Sequence, residues 1–216
     1  MARKSKILGL DQIAKTKHRI MEFDGEWRKA FGRPAINGSW LIWGNSNQGK
    51  TRFALQLCKY LTNFGRVAYD SLEEGNSRSM QMAVEQLNMG EVSGKFVLLD
   101  RMKLSELEEY MAKEKSPRFI VIDSLQYTRM TYNRYVELKE KYTNKLLILI
   151  SHAEGKEPKG SAAKAVRYDV DCKIYDEGFR AMVAGRFQEG AAEPFTIWEE
   201  GAALYWGNKE NSTENE

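Results

Sequence analysis

The sequence predicts an α/β domain with a mostly parallel central sheet, helices on both faces and a β-rich C-terminal extension. Three observations carry the prediction. Short apolar runs alternate with amphipathic stretches of helical period between Trp40 and His152, the pattern of a sheet covered on both faces. One of those runs, "RFIVID" at 118–123, lacks polar alternation and therefore belongs at the buried centre. After Pro158 the pattern shortens to glycine-punctuated alternating segments, which read as antiparallel hairpins.

The elements follow in order. Over residues 12–31, Ile13, Ile20, Phe23, Trp27 and Phe31 recur at helical spacing and predict one amphipathic helix. Glycine and proline in "GRPAINGS" end it. "WLIWG" is the first strand, and "KTRFALQLCKYLTNFG" is a helix that stops at Gly65. "RVAYDS", "KFVLLD", "RFIVID" and "KLLILISH" are the next four strands. The helices "SRSMQMAVEQLNMG", "LSELEEYMAKEK" and "YNRYVELKEKYTN" lie between them. "DCKIYDEGFRAMVAGRF", "EPFTIWEE" and "GAALYWG" read as short strands without long helices. The chain thus divides into a basic helical segment (1–37), an α/β domain (38–207) and a polar tail (208–216).

At 216 residues and 42% hydrophobic content, the chain can bury the core of one domain. The net charge of +3 is too small to imply an acidic partner, although residues 1–19 carry six basic side chains against one acidic. The tail "NKENSTENE" has no apolar residue and is expected to be disordered. No apolar run nears the roughly 20 residues of a membrane span, and the N-terminus has no apolar signal core. A cytoplasmic protein without a membrane partner is expected. Cys58 and Cys172 are expected to be reduced core thiols.

Residues Gly44, Asn45, Ser46, Asn47, Gln48, Gly49, Lys50 and Thr51 fill the template G-x-x-x-x-G-K-[ST] between a strand and a helix. Glycines let successive N–H groups curl around phosphate oxygens, and the helix N-terminus adds its positive end. Lys50 would reach the β- and γ-phosphates and Thr51 would hold Mg²⁺. Arg52 completes the expected nucleotide-contact set. Asp123 closes its strand at the sheet edge where ligands of open α/β sheets bind, and would hold the metal through water, opposite Thr51.

With these motifs in this strand sequence, residues 38–206 resemble the RecA-like ATPase core of recombinases and DnaB-type replicative helicases. The resemblance implies a P-loop ATPase using ATP and Mg²⁺; no guanine-specific "N-K-x-D" segment is present. "YDSLEEG" is similar to the segment carrying the family's water-orienting glutamate, which falls on Glu73, with Glu74 an adjacent competitor. An acid-rich helix start is the other reading of that pair. "LILISH" ends where the family places a γ-phosphate sensor, often glutamine. Ser151 and His152 stand there instead, a departure that leaves the sensor's role open. "AGRFQEG" is similar to the helicase segment that projects a lysine and an arginine into a neighbour's ATP. Arg186 matches the arginine, Ala184 replaces the lysine, and Arg180 is a substitute. An exposed strand arginine is the structural alternative.

The resemblance also implies two loops facing single-stranded DNA. The first, "SLQYTRMTYNRY", interleaves Tyr127, Arg129, Tyr132, Arg134 and Tyr135, rings for stacking with guanidinium groups for phosphates. The second, "AEGKEPKGSAAK", is expected to be flexible and offers Lys156, Lys159 and Lys164, offset by Glu154 and Glu157. The expectation is ATP hydrolysis on single-stranded DNA in recombination, replication or repair, with self-association into a ring or filament. The helix at 12–31 is a candidate strap onto the next subunit, or packs on its own domain. The alternative is an ATP-binding assembly or loader subunit without DNA-stimulated turnover. A nucleotide kinase would need an arginine-rich lid, which the stretch after Pro158 does not resemble.

Overall fold

The computed structural model describes residues 7–188 and 190–213, the last six of these as backbone only. Two short helices, α1 (Leu10–Lys15) and α2 (Gly25–Phe31), precede β1 (Gly38–Gly44) and α3 (Lys50–Leu61). Then come β2 (Val67–Ser71), α4 (Arg78–Gln86), a 3₁₀ turn (Met89–Val92), β3 (Phe96–Asp100) and α5 (Leu104–Ala112). β4 (Phe119–Asp123), the single-turn α6 (Leu125–Thr128) and α7 (Tyr132–Lys141) lead to β5 (Leu146–Glu154). The chain ends with β6 (Glu157–Pro158), α8 (Ser161–Asp169), β7 (Cys172–Glu177), β8 (Arg180–Gly185), β9 (Phe195–Thr196) and α9 (Glu199–Thr213).

Among the described residues the strand order is β3-β2-β4-β5-β1-β7-β8-β9, with β6 paired to the end of β5. The pairs from β3 through β7 are parallel, and β8, β9 and β6 are added antiparallel. β5 therefore lies between β1 and β4. The register sets Gly44 beside His152 and Ser71 beside Asp123. All these strand ends share one edge of the sheet.

Side chains alternate across the strands and feed two cores. Trp40, Ile42, Tyr69 and Val121 face α3, whose Phe53, Leu57 and Leu61 recur every four residues and are fully covered. Leu41, Trp43, Ile120 and Leu149 face the opposite layer, built from Leu107 and Met111 of α5, Tyr135 and Leu138 of α7, and Val166 of α8. β2 and β4 are buried at every position, which explains why "RFIVID" shows no alternation. Side-chain caps begin two helices: the Ser77 hydroxyl accepts from the Met80 N–H, and the Thr131 hydroxyl from the Arg134 N–H.

The structure corrects several expectations. The helix over 12–31 is broken. α1 ends at Lys15, Ile20 bridges Ala35 in extended conformation, and α2 begins only at Gly25, whose φ is +50°. Tyr60 holds this break in place: its hydroxyl donates to Asp24 Oδ1 at 2.7 Å and accepts the Asp24 N–H at 2.8 Å. Phe23, Trp27 and Phe31 pack on their own domain, with Trp27 stacked on Tyr60 at 4.9 Å, while Ile13 and Ile20 are exposed. The second loop is not an unstructured stretch. β6 folds back on β5, and "SAAKAVRYD", rich in helix formers, is α8. "GAALYWG", read as a strand, is the first half of α9, with Glu199 and Glu200 at its positive end.

The β7–β8 hairpin stands as expected, on a two-residue turn with Gly178 and Phe179 at φ +56° and +59°. Cys58 and Cys172 are free and buried. No helix among the described residues is long and apolar enough to cross a membrane. Of the tail expected to be disordered, residues 208–213 continue α9, while residues 214–216, like Arg3, Lys4 and Lys6 of the basic N-terminus, lie outside the described residues.

Tyr135 is fully buried rather than presented at the surface. Its hydroxyl bonds Ser39 Oγ and donates to Asp169 Oδ2, both at 2.7 Å. Tyr135→Phe should therefore lower the unfolding free energy by about 1–3 kcal/mol, the usual cost of orphaning buried polar partners. Urea melts measure this, and an unchanged midpoint would remove the network from the account of stability.

Candidate functional site

The site is built at the C-terminal ends of β1, β2, β4 and β5. The loop between β1 and α3 makes its turn through Asn47 and Gly49, at φ +61° and +103°. A side chain at Gly49 would be strained and would also press on Phe179 and Ile197. Gly44 is required for a different reason: a Cβ there would stand 2.4 Å from the Asp176 carbonyl oxygen on β7. The Gly178 N–H donates to Gln48 Oε1 at 2.6 Å, tying the loop to the β7–β8 turn. Lys50 spans the loop and donates to the Asn45 carbonyl oxygen at 2.7 Å.

Burial holds the Lys50 ammonium below the usual lysine range, against the opposing charges of Asp176, Asp123 and Glu73. Asp123 is pushed up to about 6, first by burial and further by Glu73 and Glu74, while Tyr69 and Lys50 pull the other way. The Tyr69 hydroxyl, fully buried on β2, donates to Asp123 Oδ2. Asp176 on β7 is also fully buried, and neither carboxylate oxygen has a protein partner. Burial drives its pKa well above the carboxylate range.

Glu73 and Glu74 have different surroundings. The Leu72 and Glu73 N–H groups donate to the Asp123 carbonyl oxygen, at 2.6 and 3.2 Å, which pins the loop after β2 onto the end of β4. Glu73 Oε2 then lies 3.2 Å from His152 Nε2. Glu74 turns to α4, where Ser79 Oγ donates to it at 2.6 Å. Gln126 of α6 joins the cluster: its amide donates to Ser151 Oγ at 2.8 Å, and the His152 N–H donates to Gln126 Oε1 at 3.3 Å. Lys50, Glu73, Asp123 and His152, widely spaced in sequence, thus converge on one edge.

These residues suit a bound nucleotide and magnesium. The glycine turn and the start of α3 form an anion cradle. The Thr51 hydroxyl and Asp123 carboxylate are hard oxygen donors of the kind Mg²⁺ prefers. Among the described residues no group of three or more His, Cys, Asp or Glu could hold a metal by itself. A metal ion here would take its other ligands from phosphates and water.

Other predicted residues lie apart. Arg186 is at the opposite edge of the sheet, its guanidinium 3.5 Å from Asp171 before β7, whereas Arg180 stands opposite Glu177 in the strand register on the phosphate-loop side, its guanidinium 5.4 Å from the Trp206 ring. Arg52 lies 6.0 Å from the Trp198 ring. Tyr127 and Tyr132 are 54% and 37% exposed. Arg134 does not keep a free charge for phosphates, because it pairs with Glu108 and with Glu137. Lys156 and Lys159 are exposed on and beside the β5–β6 hairpin, beyond His152.

The sequence reading missed Tyr69, Gln126, Asp176 and Trp198. Asp176 carried a legible signal: it continues the buried phase of Cys172 and Ile174, where a carboxylate is out of place. The others had none, since Tyr69 looks like any strand aromatic.

No protein-family model matches the sequence, and no curated protein matches it. Solved structures do. The KaiC-like protein of the hyperthermophilic archaeon Pyrococcus horikoshii superposes with a TM-score of 0.58 at 18% identity, over 74% of this chain and 84% of that one. The flagellar accessory protein FlaH of Methanocaldococcus jannaschii gives 0.59 at 16% identity, over 82% and 92%. At such identity the likeness shows the fold alone, an α/β architecture with a mostly parallel central sheet and helices on both faces, as the strand pattern predicts.

Asp123 yields a stability prediction with a definite sign. Its folded pKa lies above the unfolded value, so its contribution is full below about pH 4 and is lost as pH rises through about 6. Asp123→Asn should therefore raise the melting temperature of the nucleotide-free protein at pH 8 and flatten its loss of stability between pH 4 and 6. Parallel wild-type and variant curves in calorimetry would contradict the burial of this charge.

Proposed function

We propose that the chain is a Mg²⁺-dependent ATPase of the RecA-like type that acts on single-stranded DNA in recombination, replication or repair. The observation that carries this reading is the convergence of Lys50, Thr51, Asp123, Glu73 and His152 on one sheet edge around a complete phosphate loop. The residues from Gly44 to Arg52 bind the triphosphate, with Lys50 on the β- and γ-phosphates. Thr51 and Asp123 hold the metal, whose chemistry is to neutralise charge on the transferred phosphoryl group. Glu73 orients and deprotonates the attacking water, and the surroundings of the two glutamates favour it over Glu74. His152, within hydrogen-bonding reach of Glu73, senses the γ-phosphate.

Arg186, remote from its own phosphate loop, fits a finger that serves only a neighbour's site. That supports self-association into a ring or filament. The exposed apolar residues Ile13 and Ile20 are the part of the 12–31 segment left for a strap.

DNA contact rests on Tyr127, Arg129, Tyr132, Lys156 and Lys159 at the nucleotide edge, where position can follow the state of the phosphates. A second reading has its own support. With Arg134 paired and Tyr135 buried, the basic and aromatic surface is smaller than the sequence promised, as for a loader that binds ATP only to assemble.

Three measurements test these assignments. Lys50→Ala should abolish Mg·ATP binding in calorimetry while the fold persists, and unchanged affinity would refute the cradle. Glu73→Gln should bind ATP yet slow single-turnover hydrolysis by about 10²-fold, the scale of a lost general base; normal hydrolysis with a slow Glu74→Gln would move the role by one residue. Arg129→Ala with Lys156→Ala should reduce the salt dependence of single-stranded DNA binding by about 1.4 in log–log slope, at roughly 0.7 per phosphate. Arg134→Ala should leave that slope unchanged. DNA binding absent or indifferent to salt would select the loader.

A further inference from the structure

Beside the nucleotide edge, on the sheet face away from α3, lies a cavity of about 280 Å³ between β2, the loop after β3, and helices α5 and α6. Asp70 lies at its floor and is fully buried. One of its oxygens, Oδ1, accepts the Met102 N–H at 3.0 Å, but Oδ2 has no partner in the protein. A buried acceptor without a protein partner is satisfied by a water or by a donor from a ligand. The walls, Leu72, Leu104, Leu107 and Ile122, are apolar. The Tyr127 ring lies at the mouth, half exposed.

The rim fixes the class of ligand. Arg101 and Lys103 line it, and the Arg101 guanidinium donates to the Glu73 and Glu74 carbonyl oxygens, neutral acceptors rather than carboxylates. These two cations oppose entry of a lysine or arginine side chain and favour a ligand carrying an anionic phosphate. The volume falls just under the roughly 300–1,000 Å³ of small-molecule clefts, so it suits one ring system with its phosphate left outside.

On the reading that this edge binds single-stranded DNA, we infer that the cavity takes one base of the strand, stacked on Tyr127 with its amino group on Asp70 Oδ2. Cytosine, adenine and guanine project an amino N–H beyond the ring, as a single open carboxylate oxygen requires; carboxylates accept from the cytosine amino group in this way. Thymine offers only a ring N–H flanked by two carbonyl oxygens, which the carboxylate repels. Arg101 also donates to the Glu74 carbonyl oxygen at 2.8 Å, so the cavity shares a residue with the loop that carries Glu73.

The test is equilibrium binding of equal-length oligo(dC), oligo(dA) and oligo(dT) at one salt concentration, for wild type and Asp70→Asn. Wild type should prefer oligo(dC) and oligo(dA) by about tenfold at pH 8, the scale of a hydrogen bond to a charged group. Asp70→Asn should lose the preference while keeping Mg·ATP affinity. The preference should also fade in wild type as pH falls from 8 to 6. Burial, with Asp100 on β3 and Glu106 on α5, pushes Asp70 up to about 7 against the Met102 N–H, and only the ionised form repels thymine.

Equal affinity for all three oligomers, or a preference that survives both the substitution and the pH change, overturns the base site and leaves the DNA reading standing. Failure to bind any oligomer overturns both. Should Asp70→Asn not fold, the wild-type pH series decides by itself.

Discussion

Everything at the site depends on β5 lying between β1 and β4 in parallel register. Strands spaced about 4.8 Å apart put the phosphate-loop strand and the Asp123 strand roughly 10 Å from each other. That gap is wide enough for a phosphate chain and its metal, and His152 stands at its centre. Had β1 and β4 been direct neighbours, Asp123 would crowd the loop and Glu73 would have no histidine opposite. Burial of β4 on both faces, and of β5 as far as Ser151, keeps this spacing rigid.

The second organising fact is how many charges the fold desolvates in one place. Lys50, Asp123 and Asp176 are all drawn away from water, and burial is the largest influence on each. A nucleotide-free site of this kind is electrostatically uncomfortable, since its charges solvate one another incompletely. A triphosphate with its cation would supply the missing counter-charges. The Lys50 ammonium donates to the Asn45 carbonyl oxygen, a neutral partner that does not compensate its charge.

Legibility in the sequence followed the range of the interactions. The phosphate loop, β4 and the parallel core could be read because each is a local pattern of residue types. The N-terminal helix was misjudged because its apolar period continues through Asp24 and Gly25, where a long-range bond to Tyr60 and a left-handed glycine turn the chain. α9 was misjudged because Gly201 and Gly207 bracket an apolar run that looks like a strand; Gly201 is instead needed for its approach to the Trp198 ring. Tyr135 and Arg134 looked like surface ligands, yet Ser39, Asp169 and Glu108, from 26 to 96 residues away, claim them. The meeting of Glu73 with His152 follows from strand order, which no local pattern encodes.

The close approach of β7 to Gly44 bears on how variants of the loop are to be interpreted. The two motif glycines do different jobs: Gly49 frees the backbone to turn, whereas Gly44 clears space for the neighbouring strand. An added methyl group at Gly44 would push β1 and β7 apart before any ligand arrived. Inactivity of such a variant would report a damaged scaffold and carry no information about phosphate recognition. Residue identity in a motif is therefore not by itself a sign of ligand contact, even at the motif's first letter.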